Sequence, residues 1–231
     1  MALLKEIVYD IKNIIRGGIQ SDDDIISNRQ IEFQVHSLRA QFIRQDINKR
    51  RSISDNIKQI ISCLEVEPVH GSTCGLSNDI MIVRSKEKIP SSIETSHQNL
   101  ITAIGPTGIL AVNFHMIPYN RAPWAGSNRY TKNMTFAFLL DSFVYVIGPG
   151  AEMLEQIKVE GVWQDPTNIS NYTTKDGDTC YDVDIHEYPL STSMLDLIKQ
   201  AMLSQNMKPM VDMPTDNSNN AKSDVQPNVQ K

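Results

Sequence analysis

Cys63, His70 and Cys74 are the residues whose types and spacing come nearest to a metal site. Cysteine thiolates and histidine nitrogens are the ligands that zinc prefers in proteins. A structural zinc site also needs a fourth ligand and usually contains a knuckle of two cysteines separated by two residues. Because this segment supplies neither, the sequence favours three unconnected side chains, buried or exposed, over a zinc centre.

A second group of candidate ligands is an acidic stretch near residue 180. It contains Asp176, Asp178, Asp182, Asp184 and Glu187. The turn at residues 176–178 is of the kind that calcium and other oxygen-coordinated cations use. The complete calcium-loop pattern with its closing bidentate glutamate is missing. A solvated acidic turn is therefore the favoured interpretation, and the sequence predicts neither a metal nor any other cofactor.

The sequence contains no catalytic signature. A Gly-x-Ser-x-Gly turn, a glycine-rich phosphate loop between a strand and a helix, and a His-Glu-x-x-His motif are all missing. The five histidines, at positions 36, 70, 97, 115 and 186, are scattered, which favours structural or exposed roles. The sequence therefore predicts a non-enzymatic protein. The alternative from another class is a small enzyme or nucleotide-binding module, which a concave pocket with several shifted pKa values would indicate.

Residues 119–130 have the composition of a contact loop. The segment contains glycine and proline, lies between two strand-like segments, and holds two arginines and three large aromatic residues. Its candidate contact residues are Arg121, Trp124, Arg129 and Tyr130. Arginine and aromatic side chains stack on bases and face phosphates, but the same types are favoured at protein interfaces. Contact with a protein is the favoured interpretation.

Two amphipathic helices at the start of the chain must help to position these residues. The spacing of the apolar side chains predicts a helix over residues 2–16, and Gly17 and Gly18 suit a left-handed cap after it. Ser27 and Gln30 form a capping-box pattern that predicts the start of a second helix. Its apolar stripe consists of Ile31, Val35, Leu38 and Phe42.

The second helix also carries many cations on its other faces and toward its C-terminal end. They are Arg29, Arg39, Arg44, Lys49, Arg50 and Arg51. One interpretation is a solvated helix face whose last cations suit the negative end of the helix dipole. The other is a contact surface for an acidic partner. Under that second interpretation the candidate interface residues are Arg39, Arg44, Lys49, Arg50 and Arg51.

The rest of the chain predicts an α+β fold. Strand-like segments bounded by turn residues lie at 57–66, where Pro68 ends the pattern, and at 80–83, 100–104, 109–117, 135–140, 143–147 and 157–163. They indicate a β-sandwich or a partly closed barrel. A helical turn at 152–156 and a last helix, capped by Ser191 or Ser193 and ending near Gln205, follow this pattern.

Three regions follow from this pattern: a helical region at 1–56, a β-rich domain with its C-terminal helix at 57–206, and a tail at 207–231. The tail is polar and contains several prolines, so we expect it to be extended or disordered and to order only on a partner.

Composition limits the class of protein. A net charge of −5 over 231 residues argues against a surface devoted to nucleic acid. The apolar runs are too short for a transmembrane helix, and charged residues interrupt any pattern of a signal peptide. Three cysteines, an odd number, favour reduced thiols in a reducing compartment over a disulfide scaffold.

The stretches at residues 21–31 (SDDDIISNRQI) and 38–44 (LRAQFIR) carry a resemblance to a known family. They resemble the N-terminus of structural neck proteins of crAss-like and related tailed bacteriophages. The likeness is most specific over residues 7–66, and the helical start, the β-rich centre with an Ile-Gly-Pro turn at 104–106 and the polar tail extend it in style over most of the chain.

The resemblance implies a non-enzymatic virion protein of the head-to-tail junction, assembled in the host cytoplasm. It implies a ring, usually of twelve copies, that contacts the portal protein and the adjacent neck or tail proteins and encloses a channel for DNA. The helices would dock to the portal and the β-rich domain would join neighbouring copies. Non-specific contact with passing DNA stays open for the basic helix end, and a different tail or head-completion component is the alternative.

Overall fold

The computed structural model describes residues 2–16, 26–49, 54–76, 81–95, 99–108, 112–173, 177, 179 and 181–206. It has an α+β fold, as predicted: N-terminal helices, a seven-stranded sheet that is nearly a barrel, and a short C-terminal helix. The tail at 207–231, the glycines at 17–18 and the basic residues at 50–51 lie outside the described residues.

Among the described residues, three α-helices form where the sequence predicts them. They are α1 (Leu4–Arg16), α2 (Asn28–Asn48) and α3 (Thr192–Ala201), and a π-helical turn (Met202–Asn206) continues α3. Ser27 caps α2, since its hydroxyl oxygen accepts a hydrogen bond from the Gln30 N–H at 3.2 Å. The cap of α3 is Ser191, which accepts from the Met194 N–H at 3.3 Å.

The strands are β1 (Gln59–His70), β2 (Met81–Ser85), β3 (Ile101–Pro106), β4 (His115–Met116), β5 (Phe136–Leu140), β6 (Phe143–Ile147) and β7 (Gln156–Gly161). Their order in the sheet is β3-β7-β1-β2-β6-β5-β4, and all neighbours are antiparallel except the pair β4 and β5. Short 3₁₀ helices lie at Asp55–Ile57, Gly71–Cys74, Tyr119–Trp124, Ala151–Met153 and Pro166–Asn171.

The sheet curves until its two edge strands approach each other. The long strand β1 pairs with β7 along its first half and with β2 along its second half, with a register shift between Ile61 and Leu64. The Phe114 N–H, just before β4, donates to the Ile104 carbonyl of β3 at 2.7 Å. Because this bond joins the segments at opposite ends of the strand order, the sheet is almost closed into a barrel.

Two strands differ from the sequence prediction. Strand β1 continues beyond Pro68, which pairs with Val83 of β2, so the proline does not end the strand. Of the predicted strand at 109–117, residues 109–111 lie outside the described residues and only His115–Met116 is strand among the others. The β5–β6 hairpin turns at Asp141 and Ser142, whose φ angles of 51° and 68° are those of a two-residue type I′ turn.

Three groups of buried apolar residues hold the fold together. The first lies between the three helices and the ends of β3 and β7, and includes Ile11, Ile31, Leu100, Val162 and Ile198. The second fills the near-barrel and includes Ile61, Ile104, Val146, Val159 and Trp163. The third lies on the outer face of β2, β5 and β6, and includes Cys74, Ile82, Ala122, Phe138 and Tyr145.

Candidate assembly surfaces

Arg39 is not part of an exposed basic face, so that interpretation of the sequence is wrong for this residue. Its side chain is fully buried, with an exposed fraction of 0%. Its guanidinium donates hydrogen bonds to the backbone carbonyls of Pro189 at 2.9 Å, Trp163 at 2.7 Å and Ile57 at 3.3 Å. These carbonyls belong to three separate segments of the chain. Arg39 therefore ties α2 to the near-barrel and to the segment before α3.

A small polar network surrounds this arginine. The Tyr188 ring lies under the guanidinium, 5.9 Å from it, and the Tyr188 hydroxyl is 2.6 Å from His36 Nδ1. Nε2 of His36 faces Asp165 at 3.7 Å. Burial lowers the pKa of His36, although Asp165 opposes this effect, and burial raises the pKa of Tyr188. The network therefore favours a neutral imidazole and a protonated phenol.

A surface pocket of about 280 Å³ opens beside His36. Its lining also contains Phe33, Ser37, Arg44 and Asp165. A catalytic histidine needs one ring nitrogen aimed at a nucleophile or a substrate. Here one nitrogen contacts the Tyr188 hydroxyl and the other faces Asp165, so the geometry is that of a structural histidine.

The C-terminal end of α2 presents an exposed basic surface. Arg44 and Lys49 are both exposed, and neither makes an ion pair with another described residue. Phe33, on the same helix, is 68% exposed. Arg50 and Arg51 continue this basic sequence but lie outside the described residues. The two described cations are accessible to an acidic partner.

The predicted contact loop is anchored at its base and exposed at its tip. Ala122 is buried, and the Tyr119 hydroxyl donates to the Cys74 carbonyl at 2.6 Å. Trp124 and Tyr130, in contrast, are 72% and 79% exposed. Arg121 and Arg129 are exposed as well. Two large aromatic side chains left in water on the same loop are typical of a surface that a partner covers.

Local hydrogen bonds hold the exposed part of this loop in one shape. Ser127 Oγ donates to the Trp124 carbonyl at 2.8 Å. The Tyr130 N–H donates to Asn128 Oδ1 at 3.2 Å, and the Thr131 and Lys132 N–H groups both donate to the Asn128 carbonyl at 3.0 Å. A loop ordered in this way loses less conformational entropy when a partner binds. Its aromatic side chains are thus presented from a preorganised backbone.

Sequence reasoning missed three neighbours of this surface. Met116 and Met134, in β4 and just before β5, are 41% and 40% exposed, and Lys132 is exposed with no ion pair among the described side chains. Methionine is common at adaptable binding surfaces because its side chain is flexible and polarisable. The sequence signal that could have identified Lys132 is the complete lack of carboxylates over residues 95–140.

The candidate metal ligands that the structure describes do not form a site. No three His, Cys, Asp or Glu side chains of the described residues lie close enough together to hold a metal ion. Cys63 is disulfide-bonded, which corrects the expectation of reduced thiols, and Cys74 is free and buried. Asp176 and Asp178 of the acidic stretch lie outside the described residues. Within the described part of the chain, no helix is long and apolar enough to cross a membrane.

Comparison with known families supports a structural role in a larger assembly. A search among curated proteins finds no significant match. A family model described as phage tail ring protein 2 matches residues 6–225, which include both helical regions and the whole sheet. Because this match extends over nearly all of the sequence, the chain belongs to the phage tail ring protein 2 family of crAss-like phages and is a structural ring protein.

Proposed function

We propose that the protein forms a homo-oligomeric ring of twelve copies at the portal-proximal head-to-tail junction, with a central channel for DNA. Membership of the phage tail ring protein 2 family is the observation that carries this proposal. The preorganised, exposed aromatic side chains of Trp124 and Tyr130 add to it, because they are the residue types that dominate protein interfaces. The role is non-enzymatic and belongs to the virion.

The proposal assigns different partners to different regions. Residues 1–56 form the helical region that docks to the portal, and residues 57–206 form the β-rich domain that joins neighbouring copies. The tail at 207–231 contacts a partner. The two ordered regions share the apolar core that includes Ile31 of α2 and Val162 after β7, so they pack against each other within one subunit. We assign the contact with the portal to Arg44, Lys49, Arg50 and Arg51. We assign the contact between neighbouring copies to Arg121, Trp124, Arg129 and Tyr130.

The mass of the purified full chain, measured by light scattering and native mass spectrometry, tests the ring. We expect a closed oligomer, either alone or after addition of purified portal protein, and a ring in electron micrographs. A chain that stays monomeric with and without portal would contradict the proposal. Charge reversal in R44E/K49E should weaken binding to the portal and leave self-association unchanged.

Substitution of one exposed aromatic side chain tests the contact between copies. Trp124→Ala should shift the midpoint of self-association at least about tenfold toward higher protein concentration, because an interface hot spot contributes about 2 kcal/mol or more. The matched control is Met153→Ala, since Met153 is 87% exposed but lies outside the loop. Both variants should melt within about 2 °C of the wild type, because each side chain makes few contacts within the subunit. Equal self-association of the two variants would remove Trp124 from the interface.

A further inference from the structure

Charge is distributed unevenly along this chain. Residues 95–140 contain no aspartate or glutamate and include the cations Arg121, Arg129 and Lys132. The whole chain nevertheless carries a net charge of −5, so the remainder is more acidic than the average. The chain has 27 acidic residues, and none of them lies in this stretch. Negative residues are therefore separated along the sequence from these three cations.

The fold places this stretch on one side of the molecule. It supplies β3, β4, the contact loop and β5, and these are brought together by the β4–β5 pairing and by the bond from Phe114 to Ile104. The exposed side chains of the loop and of the two residues after it include Arg121, Trp124, Arg129, Tyr130 and Lys132, and we call these five the basic face. None of its three cations makes an ion pair with another described residue.

An oppositely charged surface lies over the helical core. It is formed by α1, by α3 and by the segment 182–187, which are linked by ion pairs from Lys199 to Asp10 at 3.2 Å and from Lys5 to Asp184 at 2.7 Å. The carboxylates of this acidic face are Glu6, Asp10, Asp182, Asp184, Glu187 and Asp196. Among the described side chains, they outnumber the cations of this face, which are Lys5, Lys12 and Lys199. Ile185 and Leu197 leave apolar area exposed among them, at 74% and 50%.

The two faces cover different parts of the core. The acidic face covers the buried group that contains Ile11 and Ile198, whereas the basic face covers the outer-sheet group that contains Phe138 and Tyr145. No buried residue is common to these two groups. One copy therefore presents both faces at once and in different places. Such a pair of surfaces fits a head-to-tail contact, which forms a ring when the rotation between copies closes.

We propose that the basic face of each copy docks on the acidic face of the next copy, with Trp124 and Tyr130 covering the apolar area around Ile185 and Leu197. This inference rests on the proposed ring function and specifies which surfaces meet: α2 keeps the portal contact, whereas the exposed side of α1 contacts the neighbouring copy. Opposite charges across the contact fix the register and speed the encounter, and the aromatic side chains supply the buried apolar area. Self-association should therefore weaken as salt is added, without disappearing.

A charge-swap experiment with full-length chains tests this pairing. R121E/R129E makes the basic face negative, and D184K/D196K makes the acidic face positive. Each variant alone should self-associate at least about tenfold more weakly than the wild type, because like charges then face each other. An equimolar mixture should recover assembly, since an alternating arrangement puts opposite charges together at every contact. The melting temperature of each isolated variant checks that the subunit is folded.

Each other outcome of this experiment decides against the pairing. If the wild type assembles and either variant assembles equally well, that face is not at the contact, while the ring proposal stands. If both variants fail and the mixture also fails, the two faces do not meet each other. If R121E/R129E assembles normally but loses binding to a fluorescent DNA duplex, the basic face serves nucleic acid instead. A wild type that never assembles, even with portal, refutes the ring itself.

Discussion

Replacing the buried Arg39 should destabilise the protein far more than its position on a charged helix suggests. In Arg39→Met the apolar stem is kept, and the three carbonyls of Ile57, Trp163 and Pro189 lose their donor. A buried carbonyl left without a donor costs about 1–3 kcal/mol. The guanidinium itself costs several kcal/mol to bury, by order of magnitude, and the substitution removes that penalty.

The net effect is the difference between these opposing contributions. We expect Arg39→Met to lower the free energy of unfolding by about 2–4 kcal/mol, and Arg39→Ala to lower it by about 1–2 kcal/mol more because it also leaves a cavity. Arg39→Lys keeps a buried charge and its desolvation penalty but cannot match the three hydrogen bonds of the guanidinium, so it should destabilise at least as much as the methionine variant. The matched control is Arg44→Met, an exposed position on the same helix, with an expected change within about 0.5 kcal/mol.

Urea unfolding followed by circular dichroism measures these differences. A two-state transition with an unchanged denaturant slope lets the midpoints be converted to free energies. If Arg39→Met is as stable as the wild type, or more stable, the desolvation penalty of the guanidinium equals or exceeds the value of its hydrogen bonds. In that case Arg39 would specify the arrangement of the three segments without stabilising it.

Three further expectations concern single positions. Burial lowers the pKa of His36 below its unfolded value of about 6.5, so protonation favours the unfolded chain. The stability that the neutral ring contributes is present above about pH 6.5 and is lost as the pH falls through the folded pKa. Urea unfolding at about pH 7.5 and about pH 5.5 should show a smaller loss of stability for His36→Gln than for the wild type, and an equal loss would contradict this expectation. Gly148→Ala should destabilise the protein by about 2–4 kcal/mol, because φ is +143° and a Cβ would lie 2.8 Å from the backbone just before β5. Gly150→Ala, where φ is +81° but the space is open, should lose only about 1 kcal/mol. Equal losses of the two variants in thermal unfolding would refute the steric argument. Ser191→Ala should lose about 1 kcal/mol as the cap of α3 and Ser193→Ala less than half of that, and the reverse order in thermal unfolding would assign the cap to Ser193.

Local patterns were sufficient to predict most of the secondary structure. Helical spacing and a capping serine located α1 and α2, since both signals depend only on residues within a few positions of each other. Turn residues separated β5 from β6 for the same reason. The strand through Pro68 was predicted too short, because a proline is tolerated wherever its missing N–H is not required, and pairing alone decides that.

For the candidate surfaces, the sequence predicted the loop better than it predicted the cations of α2. Composition predicted a contact loop at 119–130; the structure shows that Trp124 and Tyr130 are exposed, and the contact itself stays a prediction. The cations of α2 were interpreted alike from sequence, yet Arg39 is buried and Arg44 is exposed. The helical spacing places Arg39 beside the apolar stripe, four residues after Val35, and Arg44 on the opposite side of the helix, so this spacing was a local signal that could have separated them. Only the three carbonyls, which come from segments distant in sequence, make burial of one guanidinium possible.

The sequence by itself determined the helices, most strands, the absence of a recognisable catalytic motif and the separation of charge along the chain, because all of these are properties of neighbouring residues. Tertiary structure alone decided the strand order, the near closure of the sheet and the placement of the acidic and basic faces over different parts of the core. These depend on contacts between residues far apart in the chain, such as Phe114 with Ile104 and Lys5 with Asp184. Contacts of that kind form only when the whole chain has packed, so no local signal in the sequence reports them.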